Sequence, residues 1–423
     1  MHSTSHKRII LKQITNIYNK IIFFIILNFG WSLKRLKRVL CVIPNDPLYQ
    51  YFKKGEVKTR YFNPCNFFSE VHVISLSDWD VNAEKVQKLA GEGRLYIHPI
   101  GKLSRINMPF ITFKVLLKLK MLKPNILRTY NPLHGFIGVI AGRILHIPTV
   151  ISLHTEYDEE RYFRKKLYGK ESFLLDTLER IIEKIALSSA ECVICVSQHV
   201  KKYAARYGAK KPIILYNKVD LKLFRADLDS VNAKRELGLE GKKVLLYVGR
   251  IDKQKNVGCL IRTVRELLNI SLKDVHLLLV GSGSEVKQLK RLASQINVQD
   301  KITFIGPVPH EKLPIYYAAA DIYVHSSLFE GFGIPLIEAL ASGKPIVAGK
   351  VGAIPEIVED AGILVFPLNP KFFANAISKI LQDENLRTEM SKKAKEKATK
   401  YDSNRLEKEE MKIYFNFLSK TDR

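Results

Sequence analysis

From Val39 onward, short apolar runs alternate with longer amphipathic stretches, and this alternation restricts the fold more than any single motif. The runs Val39–Ile43, Val71–Ile74, Leu95–Ile97, Ile126–Arg128, Thr149–Leu153 and Cys192–Val196 are rich in branched residues and too short for helices, so they predict strands. Between them Gly135–Leu145, Ser172–Leu187 and His199–Tyr207 predict helices. Strands that are apolar throughout, separated by helices, imply parallel sheets covered on both faces. The pattern pauses over 208–225, which reads as a connection, and restarts with Lys243–Val248, Val275–Val280, Ile302–Ile305, Ile322–Val324 and Pro345–Ala348. Two doubly wound α/β domains in series, facing a cleft, are the economical reading, and 423 residues suffice for two cores. The expected division is a first domain over 38–215, a second over 216–400 and a charged helical tail over 401–423.

Residues 1–37 precede the first strand. Ile10, Ile14, Ile17, Ile21 and Ile25 recur at helical spacing, and Ile21 to Leu33 is densely apolar between Lys20 and Lys34. That stretch is short for a bilayer span but suits an interfacial helix, and Lys34-Arg-Leu-Lys-Arg38 follows where a secretory signal would place its cleavage site. Lys and Arg number 68 against 42 Asp and Glu, a net charge of +26 that favours an acidic partner or surface. Peripheral contact with the cytoplasmic face of an anionic membrane is therefore expected, the alternative being a helix packed on the body. Five scattered cysteines give no disulfide framework and suggest a reducing, cytoplasmic setting. Cys192-Val-Ile-Cys195 has metal-site spacing, but residues three apart on a strand face opposite ways.

The most informative stretch is Ser326-Ser-Leu-Phe-Glu330-Gly-Phe-Gly-Ile-Pro-Leu-Ile-Glu338-Ala-Leu-Ala-Ser-Gly343-Lys-Pro345. Gly331 and Gly333 permit a tight turn and close approach of a ligand. Pro335 suits the first turn of a helix, and Gly343-Lys-Pro345 ends it. A helix start after glycines offers free N–H groups to an anion, with Glu330 and Glu338 on either side. After another predicted strand, Gly249-Arg250-Ile-Asp-Lys-Gln-Lys255 places two cations where open α/β sheets bind ligands, suited to a diphosphate.

The Glu330…Glu338 string resembles the glutamate-x7-glutamate signature of retaining glycosyltransferases of family four. Further segments are similar to that family: Val248-Gly-Arg250 with Lys255, Gly281-Ser-Gly283-Ser-Glu285, Phe304-Ile-Gly306-Pro307-Val308, Gly352-Ala-Ile-Pro-Glu356, and the strand ends at His154 and Ser197. The resemblance is specific over roughly Lys243 to Pro367. It implies the GT-B fold and transfer of a sugar from a nucleotide-sugar, with retention and without a metal or other cofactor. The acceptor would be a glycan or lipid-linked, in surface polysaccharide or glycolipid synthesis. It further implies that Arg250 and Lys255 neutralise the leaving diphosphate, that Glu330 and His154 hold donor-sugar hydroxyls, and that Glu338 holds the ribose. Val308, Gly331, Phe332, Gly333 and Ile334 would complete the donor site. One departure concerns the acceptor side: the family often has a glycine pair after the first strand, whereas Ile43-Pro-Asn-Asp-Pro47 stands here and Gly55 is the nearest glycine.

Asp78-Trp-Asp80 has the form of a metal-binding motif from another fold, but a turn or helix cap explains it. Two rival functions follow from the same residues. A nucleotide-sugar epimerase shares the fold and donor cleft, but no acid/base pair for it stands out. A nucleic-acid binder is suggested by charge alone, without aromatic-basic recognition motifs, so no nucleic-acid partner is expected.

Overall fold

The structure is a computed structural model and describes residues 38–421 except 54, 56, 105, 170–172 and 225–227. The membrane expectation for residues 1–37 lies outside the described residues. Among these, no helix is long and apolar enough to cross a membrane.

Among the described residues, thirteen strands form two parallel sheets. The first holds β1 (Val39–Ile43), β2 (Glu70–Ser75), β3 (Arg94–Pro99), β4 (Ile126–Tyr130), β5 (Thr149–Leu153), β6 (Cys192–Cys195) and β7 (Ile213–Ile214), in the order β3-β2-β1-β4-β5-β6-β7. The second holds β8 (Lys243–Val248), β9 (Val275–Val280), β10 (Ile302–Gly306), β11 (Ile322–His325), β12 (Ile346–Gly349) and β13 (Gly362–Val365), in the order β10-β9-β8-β11-β12-β13. Each order reverses direction once, between β1 and β4 and between β8 and β11. In open α/β sheets the crevice beyond the strand carboxyl ends at such a point is where ligands bind. The two sheets therefore offer one crevice each.

Strand alternation sorts the first core by face. Leu40 and Val42 pack with Phe62 and Phe68, whereas Cys41 and Ile43 meet Ile111, Val115 and Leu119 of the Met108–Leu122 helix on the other side. Cys192 and Cys195 fall into different clusters for the same reason, so the strand keeps the two thiols apart.

The segment read as a plain connection over 208–225 contains the edge strand β7 and the short helix Leu221–Phe224. The last helix, Ser403–Thr421, turns back onto the first sheet, where Leu406, Met411 and Tyr414 join its core. There Glu410 pairs with Arg128 of β4 and with Lys218 at 3.0 Å, and the Arg128 Nη1 also donates to the Tyr414 hydroxyl at 2.7 Å. A charged tail thus becomes structural because its carboxylate answers a buried arginine.

Candidate active site

The loop after β8 and the loop after β11 meet at the second sheet's switch point. Hydrogen bonds fasten them: the Leu328 N–H donates to the Gln254 carbonyl at 2.8 Å, the Gln254 amide donates to the Phe329 carbonyl at 3.3 Å, and the Ser326 hydroxyl meets the Lys255 and Asn256 carbonyls, each at 3.0 Å. This brings Lys255 to Glu330, with Nζ 2.6 Å from Oε2 and side chains only 13% and 11% exposed. His325 Nε2 lies 3.2 Å from the same oxygen, and the Ser327 hydroxyl donates to it at 3.2 Å. Burial opposes the charge on Glu330, but the Lys255 ammonium and the His325 hydrogen bond outweigh it, holding the carboxyl well below the usual range. The site thus keeps a buried anion–cation pair ready for use.

The glycines around Glu330 are needed for close approach. A Cβ on Gly352 would lie 2.1 Å from the Glu330 carbonyl, which accepts the Ala353 N–H at 2.9 Å. A Cβ on Gly331 would lie 2.2 Å from the His154 carbonyl, so Gly331 lets the two halves of the molecule touch. Ser197 adds a bond across the same junction: its hydroxyl donates to the Gly331 carbonyl at 2.9 Å and also caps the Gln198–Arg206 helix. Gly281 and Gly283 allow the loop after β9 to press on Gly249 and Ile251, on either side of Arg250.

Glu338 sits in the Ile334–Ala341 helix, which Gly333 opens at φ +93° with Pro335 in its first turn. Both of its oxygens are engaged, by His310 Nε2 at 2.8 Å and by the Tyr317 hydroxyl at 2.9 Å. With Ile334 and His154 it lines a cavity of about 340 Å³ between the two sheets. His154 stacks on Tyr130 at 5.4 Å, and its buried Nε2 has no hydrogen-bond partner. Burial, helped by nearby Arg128, pushes its pKa down to about 4, so the ring is neutral and offers one donor and one acceptor.

The remaining expected site residues stand differently. Arg250 is exposed and engages Asp252 at 3.1 Å and Gln254 at 3.2 Å, neither of them the Lys255–Glu330 pair. Phe332 turns its ring into the core against Tyr401, leaving only its backbone for a ligand. Val308 lines an adjoining cleft of about 890 Å³, which shares Arg60 and Lys88 of the first half with the cavity that Glu338 lines. Asp80 accepts the Leu48 N–H at 2.8 Å, the Tyr49 N–H at 2.6 Å and the Val81 N–H at 2.8 Å, which is the capping role. Sequence reasoning missed His325, Ser327, His310 and Tyr317, the partners of the two glutamates. Only His325 carried a signal, as a polar residue ending the apolar run Ile322–Val324.

Comparison with known proteins bears directly on this geometry. The family model for glycosyl transferases group 1 matches residues 229–397, and that for glycosyltransferase family 4 matches residues 69–223. An uncharacterised glycosyltransferase of Methanocaldococcus jannaschii is 30% identical over 69% of this chain and 75% of its own. The α-monoglucosyldiacylglycerol synthase of Streptococcus pneumoniae is 27% identical over 53% of this chain and 52% of its own. Among solved structures, Anabaena HepE in complex with UDP superposes with a TM-score of 0.73 at 20% identity, covering 90% of this chain and 100% of that one. Such a likeness speaks for the fold. With two facing Rossmann-like sheets, matches to the family in each half and a relative aligned over most of its length, the chain belongs to glycosyltransferase family 4 and is a glycosyltransferase of the GT-B fold.

Proposed function

We propose that this enzyme moves a sugar from a nucleotide-sugar to a glycan or lipid-linked acceptor, with retention at the anomeric carbon and without a metal, in surface polysaccharide or glycolipid synthesis. The observation that carries the reading is the buried Lys255–Glu330 pair at the switch point of the second sheet, with Glu330 three residues before Gly333, which opens the Ile334–Ala341 helix. As the glycosidic bond breaks, negative charge gathers on the leaving diphosphate. Lys255, Arg250 and the backbone amides after Gly331 stabilise charge that is larger in the transition state than in the substrate, which is what accelerates a reaction. Glu330 accepts from a donor-sugar hydroxyl, and His154 offers its unpartnered Nε2 to another. Glu338 accepts from the ribose, with His310 and Tyr317 orienting its carboxylate. The UDP held by HepE supports a nucleoside diphosphate as leaving group, and the name of the pneumococcal relative supports a lipid-bearing acceptor.

A surface feature supports contact with an anionic membrane. On and just before the Met108–Leu122 helix, Ile106, Phe110, Phe113, Leu117 and Met121 are exposed at helical spacing, with Lys114 and Lys118 beside them. An apolar stripe flanked by cations suits an anionic lipid surface. Asn125, just beyond this helix, accepts the Val39 N–H at 2.7 Å, so the start of β1 lies at the same end. Sedimentation with anionic vesicles tests this: binding should fall with salt and on removal of residues 1–33, and no binding by the full chain would end it.

The test of the main reading is a screen of nucleotide-sugars for binding and slow hydrolysis. One or a few should bind, and turnover should survive a chelator. Formation of an epimer without acceptor would replace the reading with epimerisation, and binding of none would overturn it.

A further inference from the structure

The switch point of the first sheet has its own cavity, of about 520 Å³, where Asn45 and Asp46 follow β1, Asn131 follows β4, and His154 and Thr155 follow β5. It shares His154, Tyr61 and Tyr130 with the cavity that Glu338 lines, so the two are adjacent. Asn131 holds a left-handed backbone at φ +65°, and its side chain donates to Asn45 Oδ1 at 2.7 Å. That bond fixes the two loops that frame the crevice. One wall is aromatic: Tyr61 stacks on Tyr130 at 6.3 Å, and Tyr130 on His154 at 5.4 Å.

The charge of this cavity runs against that of the chain. Its lining holds four carboxylates, from Asp46, Glu160, Glu179 and Glu183, and two guanidiniums, from Arg161 and Arg164. Both arginines are already answered, Arg161 by Glu183 and by Asp158 at 2.6 Å, and Arg164 by Glu179 at 3.2 Å. Glu160 lines the cavity and, among the described residues, makes no side-chain hydrogen bond or ion pair, Arg164 and Arg161 acting on it only through space. An anion entering here would find, among the described residues, no cation to spare and an excess of carboxylate. A sugar hydroxyl would find an open acceptor and flat aromatic faces, the mix of apolar wall and few polar groups typical of small-molecule sites.

We propose that this cavity, where the glycosyl-transfer reading seats the acceptor, admits a non-anionic sugar and rejects an anionic one, and that Glu160 sets this selection. The proposal rests on the glycosyl-transfer reading. Glu160 acts as a specificity residue through an unpaired charge placed against the wrong ligand, a device of negative selection as much as of attraction.

The test uses the full chain with saturating nucleoside diphosphate, and saturation-transfer NMR with the methyl glycosides of glucose, galactose and mannose beside their uronic acids. At least one neutral glycoside should bind about tenfold or more tightly than its uronate, the size of one misplaced charge contact. Glu160→Gln should bring that ratio within about threefold while leaving thermal melting and diphosphate affinity unchanged. Equal or tighter binding of a uronate by the wild type, an unchanged ratio in Glu160→Gln, or binding of no sugar would overturn the proposal. Diphosphate affinity in the same samples separates the two claims: its absence sinks glycosyl transfer itself, and its presence assigns any failure to the acceptor subsite alone.

Discussion

Replacing Lys255 by alanine should destabilise the protein as well as disable it. The Lys255 Nζ lies 2.6 Å from Glu330 Oε2, and neither side chain exceeds 13% exposure. Without the cation, the carboxylate keeps only His325 and the Ser327 hydroxyl, both at 3.2 Å. Removing one partner of a buried pair costs about 3–5 kcal/mol, and the two remaining donors place this case near the lower figure. Glu330→Gln keeps acceptor and shape while removing the charge, so a loss of about 1–2 kcal/mol is expected. The double variant Lys255→Ala, Glu330→Gln buries no unpaired charge, and its loss should fall short of the sum by about 1–3 kcal/mol. Denaturant unfolding measures all three, with the slope checked for constancy. The pH dependence has a defined sign. A carboxyl held below its unfolded value of about 4.3 contributes stability that is full above that pH and fades below it. The gap between wild type and Lys255→Ala should therefore narrow as pH falls through this region. A Lys255→Ala midpoint equal to wild type, or a gap that does not change with pH, would refute the argument.

Three further outcomes are expected. Glu338→Ala should weaken nucleoside-diphosphate binding about tenfold, since it removes the carboxylate that His310 and Tyr317 orient, whereas Glu330→Ala should spare that affinity and abolish turnover; titration calorimetry with activity assays separates them. Asp80→Asn should leave activity intact, with or without chelator, yet cost about 1 kcal/mol in melting experiments, because an amide nitrogen would face a backbone donor now bonded to Oδ2. Burial pushes the thiol pKa of Cys192 and Cys195 up to about 12 and that of Cys259 up to about 11, so native-state alkylation followed by mass spectrometry should label half-buried Cys65 first.

Much of the sheet was legible because its strands are uniformly apolar. Val39–Ile43, Thr149–Leu153, Lys243–Val248 and Val275–Val280 were predicted with the observed bounds. The misses share a physical cause. Edge strands β7 and β13 are not fully buried, and their short apolar runs, Ile213-Ile-Leu-Tyr216 and Ile363-Leu-Val-Phe366, each abut a proline, Pro212 or Pro367, which reads as a connection. The Met108–Leu122 helix is apolar on its exposed side too, which erases its period, and Tyr157–Tyr168 opens on Asp158, Glu159 and Glu160 with little apolar signal. At the site, Glu330 and Lys255 stood out by local spacing, but their pairing spans 75 residues and depends on two loops meeting at a switch point. The roles of Gly331 and Gly352 also lie in contacts with distant backbone, which composition does not reveal. Ser197 joins both levels, as a helix cap readable locally and a bond to Gly331 visible only in three dimensions.

The central claim is that a nucleotide-sugar is cleaved at the Lys255–Glu330 site with its configuration kept. Proton NMR of the sugar released or transferred early in the reaction tests it most directly, because the anomeric coupling reports configuration before mutarotation intervenes. The same time course is run with Lys255→Ala and Arg250→Ala, each of which removes a charge-assisted contact of about 1.5–3 kcal/mol. The expected result is an anomer matching the donor, formed by the wild type and slowed at least about tenfold in both variants. Inversion of the anomeric centre, or wild-type rates in both variants, would contradict the account.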